Sequence, residues 1–367
     1  ADAINDYETT ATAFTVVPAV VMSKTDLNPA LAPEIGAHRN FEVVVQVPEG
    51  TTSNLVVTDQ LDFAGTSYVL SNNANFNINY SFENIVSING APPDEAVFTA
   101  FPADNTSGTA VWNIGQVVTA GEDDTSGTPA ITPVIRINYF ARANNDLNTN
   151  TGTTLQNTAT TSYNNGETGA VVSITDNTPV VTVTEPLLTV AKTVTPVTPL
   201  PITGGDVLEY VVTIPNTGNA TAYDVNVVDT LPAQLGLDAG FTPTALIDGN
   251  PVAGFVATPA GAPNGPLIWG LGNGDASLDI AANSTLVLTY RVAVDITAQS
   301  NITLSNSVLV DWTSLQDGSG YERTGDNCPA ITAPDDYCAG PAVSSINTTD
   351  NNSLTKSVVS DTYAPPT

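Results

Sequence analysis

Val207-Leu208-Glu209-Tyr210-Val211-Val212-Thr213-Ile214, followed by Pro215-Asn216-Thr217-Gly218-Asn219-Ala220 and Val225-Asn226-Val227-Val228-Asp229-Thr230-Leu231-Pro232, decides the fold class. Two short runs of β-branched and aromatic residues alternate side chains between two faces, and a segment rich in Asn, Gly and Pro separates them. Such runs read as strands with one face buried. Upstream, an apolar strand carrying Lys192 leads through Pro196 to Pro201 into Gly204-Gly205-Asp206. Downstream, a long variable segment reaches Ile268-Trp269-Gly270-Leu271-Gly272, and Leu286 to Val294 and Leu304 to Trp312 read as closing strands. No long stretch has helical apolar periodicity, so the chain reads as all-β.

The same order occurs earlier. Lys24 precedes Phe41 to Val47 and then Leu55-Val56-Val57-Thr58-Asp59-Gln60-Leu61; Val111-Trp112-Asn113-Ile114-Gly115 matches the segment with Trp269. Val134 to Ala141 matches the strand with Tyr290, and Leu155-Gln156-Asn157-Thr158-Ala159 matches the last strand. The chain has three lysines, and Lys24, Lys192 and Lys356 are spaced by 168 and 164 residues. That regularity marks a tandem array. The expected domains are 19–186 and 187–352. Residues 1–18 read as the closing strand of a preceding repeat or an N-terminal extension. Residues 353–367, with Leu354, Lys356 and Val358 in one phase, read as the opening strand of a following repeat or a donor strand for another chain. Head-to-tail self-association follows as an expected partnership.

Lys192-Thr193-Val194, Asn216-Thr217-Gly218-Asn219-Ala220 and Val228-Asp229-Thr230-Leu231-Pro232 resemble the DUF11 conserved repeats of bacterial and archaeal surface proteins, which are similar to the isopeptide-bonded domains of adhesins and pilins. The resemblance covers 187 to about 325 well. In the first repeat Pro48-Glu49-Gly50 stands in place of the Asn-Thr-Gly turn, and Asp59-Gln60-Leu61-Asp62 in place of Asp-Thr-Leu-Pro. The resemblance implies tandem Ig-like β-sandwiches, with a reactive lysine on the first strand and an asparagine on the last.

The residues themselves point the same way. Alternate side chains of a strand share a face, which groups Leu188, Val190, Lys192 and Val194; Val225, Val227, Asp229 and Leu231; and Leu304, Asn306, Val308 and Val310. In the first repeat the sets are Val20, Met22 and Lys24; Leu55, Val57, Asp59 and Leu61; and Leu155, Asn157 and Ala159. Lysine, aspartate and asparagine therefore point into each core, at a cost of several kcal/mol unless they meet. Two chemistries use this trio. One is a buried Lys-Asp salt bridge with asparagine as hydrogen-bond partner. The other is an autocatalytic Lys-Asn isopeptide bond, with Asp229 or Asp59 as the acid that polarises the asparagine carbonyl.

Composition narrows the remaining classes. The net charge of −29 with eight Lys and Arg residues leaves no basic patch for nucleic acid or anionic membrane. No apolar run is long enough to span a bilayer. Cys328 and Cys338, without a Cys-x-x-Cys spacing or nearby histidine, are expected to form a disulfide in a surface loop, which places the chain in an oxidising compartment at the cell surface. No cofactor is implied; calcium is possible at Glu122-Asp123-Asp124 or at Asp275 with Asp279, though neither has EF-hand spacing. His38 is the sole histidine, which removes Ser-His-Asp and Cys-His schemes. The sequons at Asn105, Asn219, Asn283 and Asn301 are either glycan acceptors or coincidence in a Thr- and Asn-rich chain. The leading expectation is a structural stalk, filament or fibrous surface layer. The alternative is an adhesin whose variable segments, 62–110 and 232–266, bind a surface ligand; these contain Phe76, Tyr80, Phe82, Phe98 and Phe101. No site argues for a turnover enzyme.

Overall fold

A computed structural model describes residues 19–63, 66–120, 132–316, 318, 320–325, 328, 336–350 and 357. Glu122-Asp123-Asp124, the N-terminal segment 1–18, and Leu354, Lys356 and Val358 lie outside the described residues. The chain divides into two compact units, the first comprising 1–33, 37–144 and 152–183, and the second 34–36, 145–151 and 184–367.

The first unit contains β1 (Val21–Asp26), β2 (His38–Gln46), β3 (Gly50–Gln60), β4 (Asp62–Phe63), β5 (Thr66–Ser71), β6 (Asn79–Glu83), β7 (Ile85–Ile88), β8 (Thr109–Thr119), β9 (Val134–Ala143), β10 (Thr154–Leu155), β11 (Thr158–Asn164), β12 (Val171–Asn177) and β13 (Val181–Thr182). One sheet runs β1-β2-β9-β5-β4, with β6 also on β9; the other runs β12-β11-β3-β8-β7. The second unit contains β14 (Ala191–Pro196), β15 (Val207–Pro215), β16 (Tyr223–Thr230), β17 (Leu235–Leu237), β18 (Thr244–Ile247), β19 (Asn250–Pro251), β20 (Leu267–Gly270), β21 (Thr285–Val294), β22 (Thr303–Thr313) and β23 (Cys338–Asn347). Its sheets run β14-β15-β21-β18-β19, with β17 also on β21, and β20-β16-β22-β23. All pairings within these sheets are antiparallel, and each unit is an all-β sandwich.

The alternation in the sequence is the alternation of burial. β15 and β21 each bury every second residue, placing Leu208, Tyr210, Val212 and Ile214 against Leu286, Leu288, Tyr290 and Val292. Trp112 and Trp269 sit fully inside their cores, their indole N–H groups donating to the Tyr80 hydroxyl and the Ala257 carbonyl. The Asn-Thr-Gly turn also has a physical basis. Asn216 is buried, its amide donates to the carbonyls of Ala220 and Ile280, and its oxygen accepts from the N–H groups of Leu187 and Gly218. A Cβ on Gly218 would lie 2.4 Å from the Glu185 carbonyl oxygen, so no side chain fits there. Gly270 holds φ +89, and a Cβ there would lie 1.9 Å from the Val225 carbonyl oxygen, so only glycine fits.

Three expectations change. Asn306 lies in β22 and Asn157 stands just before β11, outside a strand, and neither β11 nor β22 is the last strand: β12 and β23 follow and form the edges of their sheets. The disulfide joins Cys328 to Cys338, with Cα atoms 5.9 Å apart, but Cys338 is buried and begins β23 rather than lying in a surface loop. The 62–110 segment is not an open loop. It supplies β5, β6 and β7, buries Phe98 and leaves Phe101 exposed. Asn105, Asn283 and Asn301 occupy left-handed backbone at φ +61, +64 and +58, a conformation asparagine tolerates, which accounts for their residue type without a glycan.

Within the second unit, Arg323 is 1% exposed and uses every N–H of its guanidinium. Nε donates to Asn145 Oδ1 (3.0 Å), Nη1 to Asn150 Oδ1 (3.0 Å) and to Glu185 Oε1, and Nη2 to the carbonyls of Asp146 (2.8 Å) and Thr149 (3.1 Å). Glu185 also accepts from the Tyr337 hydroxyl at 2.9 Å. Replacing Arg323 by Ala strands a buried carboxylate and two carbonyls, so the second unit should lose about 3–5 kcal/mol in a denaturant titration. A loss below about 1 kcal/mol would show that water replaces the guanidinium without cost.

Candidate functional site

Strand register brings four side chains together in each core. In the second unit Lys192 of β14 lies opposite Val212 of β15, which lies opposite Leu288 of β21; Tyr290 is two residues along on the same face. From the facing sheet, Asp229 of β16 lies opposite Val308 of β22, and Asn306 is its diagonal neighbour two residues back. The first unit repeats this: Lys24 opposite Val43, Val43 opposite Ile137, Tyr139 two along, and Asp59 opposite Ala159 with Asn157 two back. Lysine and tyrosine come from one sheet, aspartate and asparagine from the other. The side chains of both Lys-Asp pairs are wholly buried.

In the first unit Lys24 Nζ donates to Asp59 Oδ2 at 2.5 Å and also to the Tyr139 hydroxyl. The Tyr139 hydroxyl donates to the same Oδ2 at 2.5 Å, and Asn157 Nδ2 donates to the tyrosine oxygen at 3.0 Å. In the second unit Lys192 Nζ donates to Asp229 Oδ2, the Tyr290 hydroxyl donates to that oxygen at 2.5 Å, and Asn306 Nδ2 donates to the Tyr290 oxygen at 3.0 Å. The other oxygens, Oδ1 of Asp59, Asn157, Asp229 and Asn306, are buried and take no hydrogen bond from any protein group. Aromatic rings wall the lysines: Lys24 Nζ lies 5.1 Å from the Phe41 ring centre, and Lys192 Nζ 4.9 Å from that of Tyr210.

Burial sets the protonation. Loss of solvent pulls the Lys192 ammonium down to about 8 against the pull of Asp229, and pushes the Asp229 carboxyl up against the pull of Lys192. Lys24 is likewise lowered by burial, opposed chiefly by Asp59. Tyr139 and Tyr290 are pushed well above the usual phenol range, first by burial and then by the adjacent aspartate, so both hydroxyls keep their protons. The amine and carboxyl of the second unit both move toward their neutral forms. A neutral amine beside a neutral acid and an amide carbonyl is the set that acyl transfer to nitrogen needs.

The phase argument thus found lysine, aspartate and asparagine, and missed the tyrosines. Their signal was in the sequence: Tyr139 and Tyr290 occupy matching places in matching strands, whereas Tyr210 is matched by Phe41. The other sequence candidates lie apart from this site. Asp275 accepts from the N–H groups of Val256 and Ser277, and Asp279 from that of Asp224; among the described residues no three His, Cys, Asp or Glu side chains are grouped to hold a metal. His38 is stacked on Phe76 and bonded to the Ser71 hydroxyl. Among the described residues no helix is long and apolar enough to cross a membrane.

No family model and no curated protein matches the chain. Solved structures similar to it include the pilus backbone (RrgB) from Streptococcus pneumoniae, at 20% identity over 36% of this chain and 54% of that one, with a TM-score of 0.27. The major pilin subunit BcpA of Bacillus cereus has 12% identity, coverage of 79% and 58%, and a TM-score of 0.31. The major pilin SpaD of Corynebacterium diphtheriae has 11% identity, coverage of 83% and 60%, and a TM-score of 0.27. The chain spans little more than half the length of the first two.

The shifted lysine gives a pH test. Asn306→Ala keeps Lys192, Asp229 and Tyr290 and leaves the amine free. Lys192 binds its proton at about 8 when folded and at 10.5 in its unperturbed state. Between those values the unfolded chain holds more protons, so the variant's stability should rise with pH, by up to about 1.4 kcal/mol per pH unit. Below pH 8 the lysine is protonated in both states and contributes no slope. The measurement stops at pH 9.5, where unfolded tyrosines begin to ionise and act in the opposite sense. Denaturant midpoints that stay flat or fall from pH 8 to 9.5 would contradict the lowered lysine.

Proposed function

We propose that the chain is a structural segment of an extracellular stalk or fibre whose two sandwiches each form a Lys-Asn isopeptide bond: Lys24 to Asn157 and Lys192 to Asn306. The observation that carries this reading is the pair of unpartnered oxygens, aspartate Oδ1 and asparagine Oδ1, present in both cores. With an ionised aspartate both are buried acceptors without donors, each costing about 1–3 kcal/mol or more. One proton on Asp229 Oδ1 turns an acceptor into a donor for the asparagine carbonyl. It also polarises that carbonyl, and the proton that the carboxyl gains is one the ammonium gives up. The arrangement that relieves the polar frustration is therefore the reactive one.

The reaction is an amide exchange. The neutral Lys192 amine attacks Asn306 Cγ, the Nζ–Cγ bond forms, the Cγ–Nδ2 bond breaks, and ammonia leaves; no oxidant or cofactor enters. Asp229 acts as the acid on the carbonyl oxygen and Asp59 does the same in the first unit. The product replaces a buried ion pair by a neutral amide, removing the desolvation cost of two charges.

The bond would tie two sheets through the core and shield residues 25–156 and 193–305 from extension under load. β11, β12 and β13, which follow Asn157, and β23 with most of β22, which follow Asn306, would lie outside that clamp and depend on their ladders to neighbouring strands. The disulfide beside β23 supports an oxidising, extracellular setting. Self-association through 353–367 remains part of the proposal.

Intact mass under denaturing conditions decides the chemistry. The full chain should fall below its sequence mass, after the disulfide is accounted for, by one ammonia per bond and two in all. Asp229→Ala should restore one ammonia and leave the first bond intact. A wild-type mass equal to the sequence mass would leave only buried salt bridges.

A further inference from the structure

We propose that Tyr139 and Tyr290 are catalytic proton donors to the departing ammonia, completing a relay from the attacking lysine to the leaving group. This rests on the isopeptide reading above. An amide nitrogen is a poor leaving group: once Nζ has added to Cγ, the tetrahedral adduct returns to reactants unless Nδ2 receives a proton. The attacking nitrogen meanwhile carries one proton too many. Aspartate alone would have to serve both nitrogens.

The hydrogen bonds already trace the path. Lysine Nζ contacts aspartate Oδ2, the tyrosine hydroxyl donates to that Oδ2, and asparagine Nδ2 donates to the tyrosine oxygen, in the same order in both units. In the ground state Nδ2 is a donor because its lone pair is shared with the carbonyl. Addition of Nζ makes Cγ tetrahedral and frees that lone pair, so the contact with tyrosine reverses. The hydroxyl gives its proton to Nδ2 while taking one from Oδ2, which has received it from Nζ. The Cγ–Nδ2 bond breaks, ammonia departs with the tyrosine's proton, one proton has moved in net from Nζ to Nδ2, and aspartate and tyrosine end with as many protons as they began with. The raised phenol keeps the hydroxyl protonated until that step and disfavours a free phenolate, which makes the transfer concerted.

The two units also separate this hydroxyl from its neighbour. Tyr210 lies against Lys192, yet its counterpart is Phe41, so the common chemistry does not require a hydroxyl there. The hydroxyl at 139 and 290 is common to both. Its contact with Nδ2 also holds the nitrogen end of the amide against the tyrosine.

The test uses the full chain made by cell-free synthesis, quenched in denaturant at intervals and digested, with each cross-linked peptide pair quantified by mass spectrometry. In Tyr290→Phe the Lys192-Asn306 bond should form about a hundredfold or more slowly, while the Lys24-Asn157 bond of the same molecules keeps its wild-type rate. Tyr139→Phe should give the mirror result. A Tyr290→Phe chain that closes the second bond within a few-fold of the wild-type rate overturns the relay. If near-ultraviolet circular dichroism shows that Tyr290→Phe does not fold, 3-fluorotyrosine at 290 keeps shape and hydroxyl but makes the phenol more acidic. A several-fold change in rate then supports proton transfer, and an unchanged rate overturns it. Absence of both bonds from the wild type overturns the cross-link itself, a result distinguishable from failure of the relay alone.

Discussion

A lysine that begins a sandwich on an edge strand, with its side chain turned inward, constrains everything else in each repeat. β1 and β14 have neighbours on one side only, and each places its ammonium where the two sheets face one another. Water cannot follow it there, so the fold must supply an anion, and the anion must come from the opposite sheet. Asp59 and Asp229 do so from strands inside that sheet. Their remaining oxygens, and those of the asparagines, are then left without donors. Buried ion pairs seldom stabilise a fold relative to apolar packing, and a core that keeps one twice in the same register is accounted for by chemistry more readily than by stability.

The consequence is a division of labour between the strands. Under the proposed cross-link β11, β12 and β13 of the first unit, and β23 with most of β22 of the second, would lie beyond the clamp. In the second unit β23 is held by its ladder to β22 and by the disulfide at its first residue. The proposed bond would therefore make a stiff body whose later strands are secured separately, not a chain that force bypasses from end to end.

Much of this was legible in the sequence. Period-two alternation located the central strands and the inward phase of Lys192, Asp229 and Asn306, because a half-buried strand has no other way to arrange them. The tyrosines were missed because an aromatic residue on an apolar face reads as core; only strand register shows that the hydroxyls of Tyr139 and Tyr290 lie between aspartate and asparagine. β23 was missed because Gly340-Pro341 reads as a breaker, yet proline is accepted at a bulge on an edge strand, and the register of β22 and β23 shifts there. Arg323 gave no periodic signal at all. Its partners lie up to 178 residues away in sequence, and only the folded chain brings them to one guanidinium.

The central claim is a covalent bond across each core, and a crystal structure of the chain at a resolution that separates bonded from non-bonded atoms tests it most directly. The account predicts continuous density from Lys192 Nζ to Asn306 Cγ at the length of an amide bond, about 1.33 Å, with no density for the asparagine nitrogen, and the same between Lys24 and Asn157. Separate side chains, with an intact asparagine amide and a hydrogen-bonded gap of about 2.8 Å or more to the ammonium, would contradict it.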